Sequence, residues 1–232
     1  MTTDTVCLPG PPDIRVHLRR SSRARRCTLR VSRVDGTATL TIPRGGCRHT
    51  AEAFLRKKEG WLRAQLARID GPRPVCLGET LPLRGRDLLL VPSPDRSVRI
   101  DGDRLLVPGP AETVAARVKG YLRTLARDAL VEASTRHAAA LGRPFTRVTL
   151  RDTRSRWGSC SSRGELMYSW RLIMAPDDVL DYVAAHEVAH LAEMNHSPTF
   201  WATVRQLMPG YEAPKAWLRA HGDSLQRVSF DS

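Results

Sequence analysis

The segment AAHEVAHLAEMNHSPTFW, residues 184–201, restricts the local fold more than any other stretch of the chain. His186 and His190 are four residues apart, so on a helix they project from one face on successive turns. His196 can bring its imidazole to the same point only if the helix stops near Asn195 and the chain turns back. Val179, Leu180, Val183, Val188 and Leu191 give that helix a buried side. Asp177 and Asp178, after Pro176, put negative charge at its start. Ser197 reads as the N-cap of a further helix with Pro198 first, and Phe200, Trp201, Val204 and Leu207 face its core. The segment therefore reads as helix, tight turn, helix.

The spacing also carries chemistry. Two imidazoles on successive helical turns can chelate one ion, and a carboxylate beside the first can accept a proton from a water activated there. His186 and His190 fill the first role and Glu187 the second. Zinc with an open position needs a third protein ligand. His196 is the candidate, with Glu193 as the alternative. The small neighbours Ala184, Ala185 and Ala189 let other elements come close. A closed structural site would need a fourth ligand, and Cys160 is the cysteine placed to supply it. The expectation is one Zn2+ per chain on His186, His190 and His196, with Glu187 as the catalytic base.

With 232 residues, the chain can bury one large core or two small ones. Its N-terminus lacks the basic-then-apolar pattern of a secretory signal, and no aliphatic run is long enough to span a bilayer. Five scattered cysteines without a CxxC fit a reducing cytosol rather than a disulfide framework. No stretch reads as a repeat. The net charge is +13, and residues 1–110 hold 21 Lys and Arg against 11 Asp and Glu. The stretch IRVHLRRSSRARRCTLRVSRV has eight arginines and no acid. Arg19, Arg20, Arg23, Arg25 and Arg26 within it point either to a polyanionic partner such as nucleic acid or to a solvated basic face.

Along residues 14–43 apolar side chains recur every second position: Val16 and Leu18, then Cys27, Leu29 and Val31, then Ala38, Leu40 and Ile42. That spacing predicts half-buried strands, with a hairpin turn at Asp35-Gly36. Thr50 reads as the N-cap of a helix with Phe54, Leu55, Trp61, Leu62 and Leu66 in its apolar stripe. Short strands follow, and the Pro-Gly-Pro at 108–110 reads as a linker. This divides the chain into a basic β-rich region with one helix, 1–110, and a core, 111–232. Residues 111–141 read as one helix, open to a break at Gly120 and closed by Gly142. Residues 145–150 and 166–173 read as strands, and 213–220 as a last short helix ending at Gly222.

The run Ser155-Arg156-Trp157-Gly158-Ser159-Cys160, then Trp170-Arg171-Leu172-Ile173, Ala175-Pro176, HEVAH, Asn195-His196-Ser197 and Phe200-Trp201 resembles the YgjP-like metallopeptidase-domain family, related to SprT-like and WLM proteases. The resemblance spans roughly residues 15–225. It implies an α+β, zincin-like core of minimal gluzincin type, with the HExxH helix beside a small antiparallel sheet and a β-rich region before it. It implies His186, His190 and His196 as zinc ligands and Glu187 as general base.

Three activities follow from these residues. In the first, a metallopeptidase, an extended peptide adds to a strand edge near Ser155 to Trp157 or in residues 166–170, and Tyr168, Arg171, Tyr211 or His221 stabilises the oxyanion, although Arg171 reads equally as a structural ion-pair residue. In the second, a metal-dependent nucleotide pyrophosphohydrolase, Arg154, Arg156 and Arg171 bind phosphate oxygens. In the third, a non-enzymatic nucleic-acid-binding module, zinc is structural and Trp61 or Trp157 stacks on bases. The base at Glu187 speaks against the third.

Overall fold

The computed structural model describes residues 4–231. The chain divides into two compact units, residues 1–72 and 73–232. The first unit opens with four strands, β1 (Thr5–Leu8), β2 (Ile14–Ser21), β3 (Thr28–Val31) and β4 (Ala38–Pro43), followed by helix α1 (Arg48–Leu66). The sheet order is β1-β2-β4-β3, with β2 and β4 parallel and the outer pairs antiparallel. The two-residue alternation sends Val16, Leu18, Leu40 and Ile42 to one face, where they bury against Ala51, Leu55 and Leu62 of α1. Cys47, not Thr50, caps α1: its Sγ accepts the Thr50 amide at 3.4 Å, which leaves Thr50 inside the first turn. Trp61 is 46% exposed, one position off the buried stripe formed by Leu55 and Leu62.

The second unit repeats the arrangement. After β5 (Arg73–Pro74) come β6 (Thr80–Leu83), β7 (Arg86–Ser93), β8 (Arg99–Asp101), β9 (Arg104–Pro108) and helix α2 (Val114–Leu141). The order β6-β7-β9-β8 has the same parallel central pair and antiparallel flanks. The two copies superpose position for position by pairing. Val6 and Val16 face each other as Leu81 and Leu88 do. Leu40 lies between Leu18 and Leu29 as Leu105 lies between Leu90 and Ile100. The sequence shows no repeat because the pairing pattern is preserved while the side chains and turn lengths are not. This second sheet also moves the boundary. Leu81, Leu83, Leu88, Leu90, Leu105 and Val107 share one core with Val114, Val118 and Leu122 of α2, so the chain divides at 72 and 73 rather than at 110.

α2 runs unbroken through Gly120 and closes on Gly142 in the left-handed conformation. Three short strands follow, β10 (Arg147–Arg151), β11 (Gly158–Cys160) and β12 (Glu165–Ser169), in the order β10-β12-β11. The expected small antiparallel sheet is mixed: β11 and β12 form a hairpin, but residues 152–157 reverse the chain, so β10 meets the far side of β12 in parallel. The strand expected through 173 stops at Ser169, where Trp170–Met174 coil into a 3-10 turn. Helices α3 (Asp177–Ala189), α4 (Pro198–Leu207) and α5 (Glu212–Arg227) complete the unit, and β13 (Val228–Ser229) pairs with β5. α5 passes through Gly222 instead of ending there, because the glycine lies against Trp157; a Cβ would meet that ring at 3.0 Å. The five cysteines are free, and among the described residues no helix is long and apolar enough to cross a membrane.

Candidate metal centre and active site

α3 begins with Asp177 and Asp178 at its positive end and buries Val179, Val183 and Val188. Its last turns carry His186 and Glu187, and His190 is its C-cap. The His190 Nδ1–H donates to the carbonyl of Glu193 at 2.9 Å, which ties down the turn after the helix and leaves Nε2 with a free lone pair. Asn195 Oδ1 then accepts the Ser197 amide at 2.9 Å, and Ser197 Oγ caps α4 at the Phe200 amide, 3.3 Å away. Between these two local bonds His196 is turned back over α3. Its Nε2 lies 3.2 Å from the Nε2 of His186.

The ligand atoms of His186, His190 and His196 all lie within 4.8 Å of one another, and Glu193 does not contribute a side-chain atom to this group. Two nitrogens about 2.0–2.1 Å from a tetrahedral zinc are themselves about 3.3 Å apart, which the His186–His196 separation matches. Burial pushes His186 down to about 3, with His190 and His196 adding to the effect, and burial lowers His190 as well. His186 and His190 are therefore held in the neutral form, the one that ligates metal. His186 Nδ1 is buried with no hydrogen-bond partner. Phe200, fully buried, packs its ring 4.4–4.9 Å from all three imidazoles and holds them as a set. The donor set thus fits a zinc-type cation, and it includes no cysteine. Burial pushes the Cys160 thiol up to about 11, so it is neither a thiolate ligand nor a ready nucleophile.

Glu187 is 5% exposed and points at β11. A Cβ on Gly158 would lie 2.5 Å from its Oε1 and 2.6 Å from its Cγ, so only glycine lets the carboxyl lie against this strand. Burial raises Glu187 to about 8, opposed by the charge of Arg156. A carboxyl tuned near neutrality beside three imidazoles is equipped to take and release a proton. Gly158 and Phe200 were not among the expected functional residues. The Gly158–Glu187 contact joins positions 29 residues apart and leaves no periodic trace in sequence, whereas Phe200 was legible only as a core residue of its helix.

Of the expected oxyanion groups, Tyr168 is fully buried and shares a hydrogen bond with Ser134 at 3.0 Å. His221 lies exposed against Trp217. Arg171 is inside the fold: it holds Asp152 through Nε at 2.6 Å and donates to the carbonyls of Leu225 and Val228 at 3.1 and 2.8 Å. It cannot also bind substrate, which corrects its assignment. Tyr211 remains, stacked between Trp201 and Tyr182, and Tyr182 meets His186 edge-on at 5.9 Å. Lys215, unexpected from sequence, sets its Nζ 3.7 Å above the Trp201 ring. Arg154 is engaged elsewhere. Arg156 lines a concavity of about 480 Å3 with Arg147, Arg151 and Ser159.

Three converging imidazoles and a buried carboxyl can hold a metal ion and move a proton. The chain belongs to the family described as YgjP-like, metallopeptidase domain, which matches residues 25–221. No curated protein matches it. Among solved structures, the metallopeptidase zymogen abylysin of Pyrococcus abyssi is similar over 44% of this chain and 97% of its own, at 25% identity and a TM-score of 0.35.

Proposed function

We propose that the chain is a zinc-dependent peptidase in which His186, His190 and His196 hold one ion and Glu187 is the general base. The observation that carries this reading is the packing of the buried Glu187 carboxyl, next in sequence to His186 of the histidine group, against Gly158 of the edge strand β11. When bound, the ion supplies a Lewis acid that polarises the scissile carbonyl and acidifies water. The chain's own residues do the rest. β11 is an edge, with its inner side paired to β12, so an extended peptide can add along its free side. Neither expected edge serves: Ser155 to Trp157 lie in the loop before β11, and β12 is paired on both sides. Glu187 takes a proton from water as the water oxygen attacks the peptide carbon. As the C–N bond breaks, the carboxyl returns that proton to the departing amine. Of the groups expected to stabilise the oxyanion, Tyr211, stacked on the Tyr182 that meets His186, is the one left for that role.

The phosphoanhydride alternative loses Arg171 to the interior. A structural site lacks a fourth ligand in the histidine group and leaves Glu187 without a task. Glu187→Gln tests the reading. A positioned base contributes about 10²–10⁴-fold in rate, so this variant should keep its metal and its fold while losing nearly all hydrolysis. New amino termini as product identify a peptidase, and released phosphate or pyrophosphate would replace that reading with the nucleotide one. Unchanged turnover would remove Glu187 from the chemistry.

A further inference from the structure

The duplicated sheets act as an internal comparison, because the same scaffold carries two different outer faces. In the first sheet, one cross-strand row on the solvent side reads Arg19, Thr41, Thr28 and the next reads His17, Thr39, Arg30. The corresponding rows of the second sheet read Val91, Leu106, Arg99 and Leu89, Arg104, Asp101. On the second sheet Arg99 is paired with Asp95 at 2.8 Å and lies 3.9 Å from Asp101, and the rest of the rows is largely apolar. The first sheet instead sets hydroxyls along its central strand, Thr39 and Thr41 with Thr37 just before it, between basic strands. These side chains line an open concavity of about 830 Å3 with Arg19 and Arg30. Its single acid, Asp35, has an interaction of its own. The topology does not require this pattern, since its twin lacks it.

We propose that this face is a docking surface for the sugar–phosphate backbone of single-stranded nucleic acid. Guanidinium and hydroxyl groups donate hydrogen bonds, and phosphate oxygens only accept them. Along a strand the donors recur every second residue, about 6.6–6.8 Å, which gives a ladder rather than a single pocket. β2, β4 and β3 together span about 10 Å, a width that one phosphate backbone laid along the strands can cover. The face presents no Phe, Tyr or Trp, so it reads backbone and not bases, and binding is independent of sequence. The turn at 22–27 adds Arg23, Arg25 and Arg26 beside the Arg19 row, all exposed. Arg20 does not belong to the surface: it points away and donates to the carbonyls of Arg44 and Gly46. The assignment is independent of the metal centre.

Fluorescence anisotropy of the full chain with a short labelled oligothymidylate, titrated at several salt concentrations, tests it. Each phosphate contact on a single strand contributes about 0.7 to the slope of log affinity against log salt, so Arg19→Gln with Arg30→Gln should make the slope shallower by about 1.4. Thr39→Val with Thr41→Val keeps β-branched residues on the strand and removes only neutral donors. It should weaken binding about three- to tenfold per hydroxyl at an unchanged slope. Arg99→Gln with Arg104→Gln on the twin sheet should change neither quantity, and chelator should have no effect. An unchanged slope in the Arg19 and Arg30 variant overturns the proposal, and so does full affinity in the threonine variant should the arginine variant fail to fold. Tighter binding to a duplex of equal length, or to vesicles of anionic phospholipid at the same salt, overturns it in favour of those partners.

Discussion

At the scale of single residues, two buried groups on neighbouring positions of α3 are displaced in opposite chemical senses. Glu187 rises from its ordinary carboxyl value to about 8 because burial disfavours its charge, and His186 falls to about 3 for the same reason. In the metal-free protein these have different consequences. Above pH 4.5 the unfolded chain releases the Glu187 proton that the folded chain retains, so stability falls as pH rises towards 8. Below pH 6.5 the unfolded chain protonates His186 and the folded chain does not, so stability falls as pH drops towards 3. Between 4.5 and 6.5 the two slopes oppose each other. Glu187→Gln should therefore raise the melting temperature of the chelator-treated protein at pH 8 and have little effect at pH 4.5. Calorimetry showing the same offset at both values would mean that the carboxyl is not held in its protonated form. The histidine spacing was legible in sequence because a four-residue interval on a helix is a local fact. Sequence could not choose between the two roles of Arg171, because its partners lie 19, 54 and 57 residues away and only the fold shows the structural ion pair with Asp152.

Among the elements, β11 has the tightest constraint. Its first residue, Gly158, is the floor on which the Glu187 carboxyl lies. Gly158→Ala would push that carboxyl aside without touching an imidazole. Misplacing a reacting group by about 1 Å can cost about 10²-fold in rate, so turnover should drop by about that factor while metal content stays at the parent level. Loss of metal in this variant would show that the strand supports the histidines instead. The starts of α3 and α4 were legible, since the Pro-Asp-Asp and Ser-Pro signals act within one turn. Two ends were not. α5 outruns its glycine because packing against Trp157 outweighs a helix penalty of about 1 kcal/mol. β12 stops short of the apolar run that follows it, because the buried residues Trp170 to Met174 satisfy the core from a 3-10 turn as well as they would from a strand.

For the whole molecule, the division at residues 72 and 73 separates a basic unit with its own hydrophobic cluster from a unit that contains all three imidazoles. A ligand that binds only the folded form stabilises it, by about 2.7 kcal/mol when its free concentration is a hundred times Kd. Chelation should therefore lower one thermal transition and leave a second unmoved, with zinc restoring the first. A uniform shift of every transition would mean that the units unfold together. The duplication explains why the boundary was misplaced in sequence: the second four-strand array looks like a continuation of the first, and only its shared core with α2 assigns it to the other unit. One feature of that second unit bears on how the protein is made. Arg171 closes on the carbonyls of Leu225 and Val228, and Arg73 and Pro74 pair with Val228 and Ser229. A chain emerging from the ribosome holds Glu187 and all three histidines well before those closing residues appear. The frame around Arg171 thus closes only once residues 225–229 have been added, after every group of the candidate site is already in the chain.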